Sequence, residues 1–156
     1  MFSMLTSLDC IEGATVVDLF AGSGAMGIES LSRGASRVVL VDASAEAVAV
    51  MGQNLEVLGE DRARATVVRS DVLRYLAGAA AFDVALADPP YAYDRWPELM
   101  ALLVRRAGLV VAETGTPWDP GPGWETVKVK KYGGTVVSIA QPVIPVSVPR
   151  AEEGDI

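Results

Sequence analysis

The feature that most constrains this chain is a short apolar run followed by a glycine-rich bend and then a helix. Thr15 to Leu19 is apolar and rich in β-branched residues, which is typical of a fully buried parallel strand. Gly22 and Gly24 allow a tight turn in which the backbone lies close to a ligand. The helix that follows is predicted to run to Arg33. A ligand of such a unit is expected at the carboxyl end of the strand.

Two kinds of cofactor fit this bend. From Gly22 to Gly27 the chain satisfies the dinucleotide pattern G-x-G-x-x-G, and Asp42 follows about 20 residues later, where an acid holds ribose hydroxyls. Asp18 separates NAD from S-adenosylmethionine (AdoMet), because a carboxylate beside the bend repels a pyrophosphate but suits the ammonium group of a methionine moiety. The residues therefore favour AdoMet. The alternative is a glycine turn that binds no ligand.

A second motif, Asp88-Pro89-Pro90-Tyr91, follows an apolar run from Phe82 to Ala87 that predicts another buried strand. The motif is therefore expected at the same sheet edge as the glycine bend. The Asp88 carboxylate and the Pro89 carbonyl are two acceptors held close together, and an exocyclic amine of a base offers two donors. Tyr91 can stack on that base. The alternative is a strand-end turn in which the prolines only stop the strand.

The rest of the chain alternates strands with helices, which predicts an open, mostly parallel α/β sheet with helices on both faces. Further strands are predicted at 37–42, 65–69 and 108–113, and helical segments at 45–58, 70–76 and 99–104. A final antiparallel hairpin is predicted from strands at 124–131 and 135–140 around a turn at Tyr132-Gly133-Gly134. Residues 1–141 are expected to form one domain, beginning with the end of a helix near Phe2 to Leu8. Residues 142–156 are expected to be a mobile tail.

Composition excludes several kinds of chemistry. The 156 residues include no histidine and one cysteine, Cys10. Ser-His-Asp catalysis, histidine-based zinc ligation and an internal disulfide are therefore excluded, and no metal is expected. The chain has no apolar run long enough to span a membrane and no basic leader, so a cytoplasmic protein is expected.

The charge pattern limits how the chain can meet nucleic acid. The net charge is −7, which counts against autonomous binding to a polyanion. The only lysines are Lys128, Lys130 and Lys131. They are candidates for contact with RNA, and the equally weighted alternative is an exposed strand edge on which lysine discourages aggregation.

These motifs together resemble the class I AdoMet-dependent methyltransferases, and more closely the bacterial 16S ribosomal RNA guanine-N2 methyltransferases. The resemblance rests on the run from Asp18 to Ala35, on Val41-Asp42, Asn54-Leu55 and Asp71-Val72, on Asp88 to Tyr91, and on Tyr132-Gly133. It implies a Rossmann-like, mostly parallel seven-stranded sheet whose last strand inserts antiparallel. It also implies methyl transfer from AdoMet, with S-adenosylhomocysteine as product, to guanine in ribosomal RNA, within a small-subunit particle.

The resemblance also assigns roles to individual residues. The cofactor-binding residues that it implies are Asp18, Phe20, Ala21, Gly22, Ser23, Gly24, Asp42, Ala43, Asp71, Val72 and Asp88. Among these, Asp18 is expected near the methionine end, Asp42 at the ribose hydroxyls and Asp71 at the adenine amine. The catalytic residues that it implies are Asp88, Pro89, Pro90 and Tyr91, which hold the target amine.

The chain departs from the family at its N-terminal end. Members of the family usually carry a basic segment before the residues that match Phe2 to Leu5, so activity and RNA binding are expected to depend on it.

Other functions remain as alternatives. They are a non-catalytic AdoMet-binding subunit or truncated methyltransferase, and a DNA adenine-N6 or cytosine-N4 methyltransferase. The DNA enzyme is disfavoured because no target-recognition domain is evident. A dehydrogenase is opposed by Asp18.

Overall fold

Residues 10–150, which a computed structural model describes, form one seven-stranded sheet with four α-helices packed on it. The strands are β1 (Thr15–Leu19), β2 (Arg37–Asp42), β3 (Ala65–Arg69), β4 (Phe82–Ala87), β5 (Ala107–Thr114), β6 (Trp124–Tyr132) and β7 (Thr135–Pro142). The helices are α1 (Ala25–Ser32), α2 (Ala45–Leu55), α3 (Val72–Ala77) and α4 (Trp96–Leu103). A 3-10 segment covers Glu56–Arg64.

The strand order β3-β2-β1-β4-β5-β7-β6 confirms the predicted fold class. The first five strands are parallel, whereas β7 pairs antiparallel with both β5 and β6. From β1 the chain builds outward through β2 and β3, and then crosses back to place β4 on the other side of β1. In a sheet of this kind a ligand binds at such a reversal, outside the carboxyl ends of the strands. The glycine bend and the Asp88 motif therefore begin at neighbouring strand ends.

The core has two layers, because alternate residues of the buried strands point to opposite faces of the sheet. On one face, Val38 and Leu40 pack with Leu31 of α1 and Met51 of α2. The other face carries Val17, Leu19, Val39, Ala85 and Val110, and it packs with Leu76 of α3 and Leu99 of α4. Full burial of each large side chain contributes about 1.5–3 kcal/mol, so the core fixes β1 and β4 rigidly beneath the site.

Two helices differ from the predicted bounds. The second helix was expected to reach Leu58, but α2 ends at Leu55 and a 3-10 segment continues from it. Gly59 interrupts that segment at φ 58° and ψ −124°, a conformation open to glycine. The fourth helix begins at Trp96, earlier than the predicted stretch from Leu99, because Pro97 suits the first turn of a helix.

The ends of the chain are partly outside this description. Residues 1–9, where the sequence predicts the end of a helix, lie outside the described residues, as do residues 151–156 of the predicted tail. Within that tail, Arg150 donates to both carboxylate oxygens of Asp83 at 2.6 and 2.8 Å. Mobility of the tail stays a prediction. Between residues 10 and 150, no helix is long and apolar enough to cross a membrane.

Candidate active site

The glycine bend between β1 and α1 is held in place from two neighbouring elements. Asp42, at the end of β2, accepts from the Gly22 N–H through Oδ2 and from the Ser44 N–H through Oδ1, each at 2.9 Å. Asn54 of α2 donates from Nδ2 to the Ser23 carbonyl at 2.8 Å. The loop is therefore ordered by the protein itself, and a ligand meets a preformed backbone.

Asp18 lies beneath the same bend and is 3% exposed. Its Oδ2 accepts from the Gly27 N–H in the first turn of α1 at 2.9 Å. Burial, opposed by the hydrogen bond from the Gly27 N–H and aided by the charges of Asp88 and Asp42, raises the pKa of Asp18 to about 7 in total. Asp18 thus ties β1 to α1. Its expected place at the methionine end of a cofactor stays a prediction.

Two residues of the bend, Phe20 and Gly22, have a left-handed backbone conformation. Phe20 has φ 58°, a left-handed conformation that costs a non-glycine residue about 1–3 kcal/mol and that is concentrated at functional sites. Gly22 has the same φ, and a Cβ added there would meet no atom within 4 Å, so its outer surface is open. A Cβ on Gly27 would lie 2.8 Å from Leu40 Cδ2, so this glycine serves helix–sheet packing.

The Asp88 motif lies at the end of β4, next to β1. A cavity of about 480 Å³ opens there, and it is lined by Phe20, Asp42, Asp88, Pro89, Pro90, Tyr91 and Glu113. The structure therefore brings Phe20 and Asp42 together with all four predicted catalytic residues. Pro89 is buried and fixes the bend, whereas the Tyr91 ring is 82% exposed. A Cβ added to Gly115 would lie 3.0 Å from two ring carbons of Tyr91, so that ring rests on glycine backbone.

Sequence reasoning missed Glu113 as a site residue. The register pairs Ala87 with Ala112, so Asp88 and Glu113 follow as neighbours at the ends of β4 and β5. Burial raises the pKa of both carboxyl groups, and a hydrogen bond between them raises the pKa of Glu113 while lowering that of Asp88. The available signal was an acid at the carboxyl end of the predicted strand 108–113, but only the register with β4 places it beside Asp88.

An aromatic cluster supports the cavity from the side of α4. Phe20 packs edge-on against Tyr93, with ring centroids 5.0 Å apart. Tyr93 packs on Trp96 at 5.9 Å, and Trp96 packs on Trp118 at 5.3 Å. Such edge-to-face pairs each add about 0.5–1.5 kcal/mol beyond burial, so the cluster holds the strained Phe20 in position.

The two residues predicted to flank adenine lie apart from this cavity. Asp71 is the N-cap of α3, where its Oδ2 accepts from the Arg74 N–H at 3.0 Å. Val72 is 6% exposed and packs in the core. Ala43 is exposed, and its carbonyl accepts from Arg69 Nε at 3.4 Å. The structure thus gives Asp71, Val72 and Ala43 local structural roles. The binding of adenine by Asp71 and Val72 stays a prediction, as does the contact of Ala43 with the cofactor.

All three lysines are exposed on the edge strand β6, and two of them reach the level of the site. Through β7, Lys130 is aligned with Val137 and then with Glu113, and Lys131 is aligned with Val136 and then with Thr114. Lys128, by contrast, is aligned with Ile139 and Val111, farther from the carboxyl edge. Lys130 and Lys131 are therefore two strands away from Glu113 on the same rim.

The lining of the cavity is suited to a positively charged ligand. It is lined by three acids, Asp42, Asp88 and Glu113, and by no lysine or arginine among the described residues. A pyrophosphate would meet uncompensated repulsion there, whereas an ammonium or a sulfonium would be attracted. The open backbone at Gly22 and the acceptor at Asp42 complete a site that fits AdoMet. Between residues 10 and 150, no three histidine, cysteine or acidic side chains are arranged to hold a metal ion.

Comparison with known proteins places these features in a family. The family model described as Conserved hypothetical protein 95 matches residues 1–141. A Bacillus subtilis relative, YlbH, provisionally named an rRNA methyltransferase, is 37% identical over 140 residues, which cover 82% of this chain and 76% of YlbH. The ribosomal RNA large subunit methyltransferase I of Escherichia coli is 33% identical over 102 residues, which cover 63% of this chain but only 26% of that enzyme.

The solved structures give the same result. The Escherichia coli protein yhhF, provisionally titled a methyltransferase, superposes with a TM-score of 0.79 at 26% identity. The match covers 90% of this chain and 81% of that one. The overall fold is thus shared with that protein.

Proposed function

The chain belongs to the family described as Conserved hypothetical protein 95, and from this premise we propose that it methylates the N2 amine of a guanine in 16S ribosomal RNA. The prediction of an AdoMet-dependent RNA methyltransferase is confirmed at that level by the relatives. The choice of guanine N2 and of the small subunit belongs to the proposal. One relative acts, by its name, on the large subunit, so both subunits have to be tested.

One observation carries the proposal. Asp88-Pro89-Pro90-Tyr91 leaves the end of β4 beside the glycine bend of β1, and it shares one cavity with Asp42. The proposed amine acceptor, Asp88, and the proposed cofactor-binding acid, Asp42, therefore line one cavity, in which a bound cofactor could reach both. A turn that served only to end the strand would not need an exposed tyrosine laid on the backbone of Gly115.

The residues of the chain have separable tasks in this reaction. When bound, AdoMet would supply an electrophilic methyl group, and the bonding electron pair of its carbon–sulfur bond would stay on sulfur. The guanine N2 would form the new bond to the methyl carbon, and one of its two protons would leave to solvent. Asp42 holds the ribose hydroxyls, and the backbone of Gly22 lies against the cofactor. Asp88 Oδ and the Pro89 carbonyl accept from the two N–H groups of the target amine, which orients the nitrogen lone pair toward the methyl group. Tyr91 stacks on the base and excludes water from one side.

The proposed contact with RNA is made by the two lysines of β6 that lie level with the end of β5. Lys130 and Lys131 supply positive charge level with Glu113, where the RNA strand beside an extruded base would run. Two lysines on a chain of net charge −7 give weak binding, because neutralisation of phosphates supplies much of RNA affinity. We therefore expect the substrate to be a structured ribosomal particle, and the site of action to be the cytoplasm.

The proposal is tested by methyl transfer from labelled AdoMet to three substrates: free 16S RNA, small-subunit particles and large-subunit particles. Nucleosides from the product are then separated, and N2-methylguanosine is expected from small-subunit particles. Efficient methylation of free RNA would contradict the requirement for a particle. Methyl groups found only in the large subunit, or on adenine or cytosine, would refute the proposed target. If every substrate stays unmodified while AdoMet binds, the chain is a non-catalytic AdoMet-binding subunit.

The role of Asp88 is tested by Asp88→Ala, which should abolish methyl transfer and leave AdoMet affinity nearly unchanged. The reason is that this carboxylate acts on the target amine more than on the cofactor. Calorimetry measures the affinity, and Asp94→Ala is the control because Asp94 is an exposed acid in the same loop. Equal losses of AdoMet affinity and of activity in Asp88→Ala would show that the motif is structural.

A further inference from the structure

Glu113 and Asp88 form a pair of acceptors that the proposed methyl transfer does not by itself require. They lie at the carboxyl ends of neighbouring parallel strands and line the same cavity. Because adjacent parallel strands lie about 4.8 Å apart, two such carboxylates span the edge of a single base. Holding one amine requires only Asp88 and the Pro89 carbonyl. Glu113 is therefore a second recognition element.

The bases differ at this second position. Guanine presents N1–H directly beside its N2 amine, so its edge offers two neighbouring donors. Adenine and cytosine carry an acceptor nitrogen beside the exocyclic amine instead. A carboxylate is an acceptor when it is ionised, so it matches the guanine edge and repels the lone pair of the other two. A Pro-Pro motif that grips an amine does not make this distinction alone.

Building on the proposed function, we propose that Glu113 determines specificity for guanine, by accepting a hydrogen bond from N1–H while Asp88 accepts from the N2 amine. When guanine enters, N1–H donates to Glu113 and N2–H donates to Asp88, and any proton that either carboxyl group held leaves to solvent. Both carboxylates are then satisfied by the base, with no bond of the base broken.

The probes that test this are guanosine and 2-aminopurine riboside, bound in the presence of S-adenosylhomocysteine. The second probe keeps the 2-amine but has an unprotonated N1, and its fluorescence reports binding directly. Guanosine affinity follows from competition. The parent chain should bind guanosine at least about 100-fold more tightly, because a site built for a donor strongly rejects an analogue that lacks it. In Glu113→Gln the preference for guanosine over 2-aminopurine riboside should fall about tenfold or more, since a glutamine amide can donate to the unprotonated N1 of 2-aminopurine.

The control is Glu60→Gln, an exposed acid in the 3-10 segment, which should keep the preference of the parent. Folding of Glu113→Gln is checked by its thermal unfolding and by its affinity for S-adenosylhomocysteine. The parent comparison stands even if that variant does not fold. A parent chain that binds both probes equally, or neither, overturns the inference, as does an unchanged preference in a folded Glu113→Gln.

Failure of the inference can be separated from failure of the proposed function. If the parent produces N2-methylguanosine in ribosomal particles but does not distinguish the probes, Glu113 has no part in base recognition and the function stands. If the probes are distinguished but no methylguanosine forms in any particle, the proposed function fails while the recognition of guanine stands.

Discussion

Asp42 orders the glycine bend and, in the proposed function, also binds the ribose hydroxyls. Its two carboxylate oxygens accept from the Gly22 and Ser44 N–H groups, and each oxygen retains further acceptor capacity. The position of Asp42 at the end of β2 predicted a ribose-binding acid. The hydrogen bond back to the glycine bend was not predictable, because it depends on how far the loop folds over toward β2.

Asp42→Ala should lower AdoMet affinity, since each hydrogen bond from a ribose hydroxyl to a charged acceptor contributes about 1.5–3 kcal/mol. Asp71→Ala should lower it less and should instead reduce stability by about 1 kcal/mol, because Asp71 caps α3. Calorimetry and denaturant unfolding separate the two effects. An Asp42→Ala variant with parental affinity would mean that the ribose lies elsewhere.

Asp18 predicts a pH dependence of stability. Its pKa is raised from 3.8 to about 7 in the folded chain, so between these values the unfolded state ionises while the folded state keeps its proton. Stability from this group is therefore greatest at low pH, and it is lost as pH rises from about 4 to about 7, by at most on the order of 4 kcal/mol.

Asp18→Asn keeps an acceptor for the Gly27 N–H and cannot ionise. The stability difference between Asp18→Asn and the parent should therefore increase in favour of the variant as pH rises from 4 to 8. Denaturant unfolding across that range measures this difference, in which the contributions of the other acids cancel. A constant difference would show that Asp18 is ionised in the folded chain throughout.

At the scale of elements, strands were predicted more accurately than helices. β1 to β4 lie at the predicted residues, because each is a buried run between polar or glycine residues. Helix ends were predicted less well: the chain after Leu55 tightens into a 3-10 segment, and α4 begins at Trp96 with Pro97 in its first turn. Glu113 was left out of the site because an acid at the end of a strand is common on any surface. Its significance comes from the register with β4.

The packing of α1 on the sheet is tested by Gly27→Ala. The added Cβ would lie 2.8 Å from Leu40 Cδ2, so stability should fall by about 1–3 kcal/mol through overpacking. The matched control is Gly52→Ala in α2, where the added Cβ meets nothing within 4 Å and stability should rise by about 0.5–1 kcal/mol. Denaturant unfolding measures both, and equal effects would argue against close packing at Gly27.

At the scale of the whole molecule, the hairpin brings two lysines level with the end of β5 that carries Glu113. The alternating pattern of residues 124–140 predicted two antiparallel strands, and the resemblance implied that the last one inserts into the sheet. Which lysines reach the rim could not be predicted, because β6 carries an irregularity between Thr126 and Lys128 that shifts the register. Only the pairing with β7 places Lys130 and Lys131 level with Glu113.

Lys130→Gln and Lys131→Gln should each weaken RNA binding and reduce the salt dependence of the binding constant by about one unit of slope, as expected for loss of a phosphate contact. Lys128→Gln, lower on the same strand, should have less effect. Binding to 16S RNA is measured by filter retention at several salt concentrations. Identical behaviour of all three variants would favour a lysine edge that only discourages aggregation.

The insertion of β7 between β5 and β6 also sets the order in which the parts become complete during synthesis. The side-chain hydrogen bonds that hold the glycine bend join residues between 18 and 54, so these residues leave the ribosome early. Among the described strands, β6 pairs only with β7, and it must wait for residues 135–142 to be made. Glu113, Lys130 and Lys131 come together on one rim only then. A chain cut short before residue 135 would therefore contain every residue of the glycine bend and its hydrogen-bond partners, but it would lack the strand that brings Glu113 and the two lysines onto one rim.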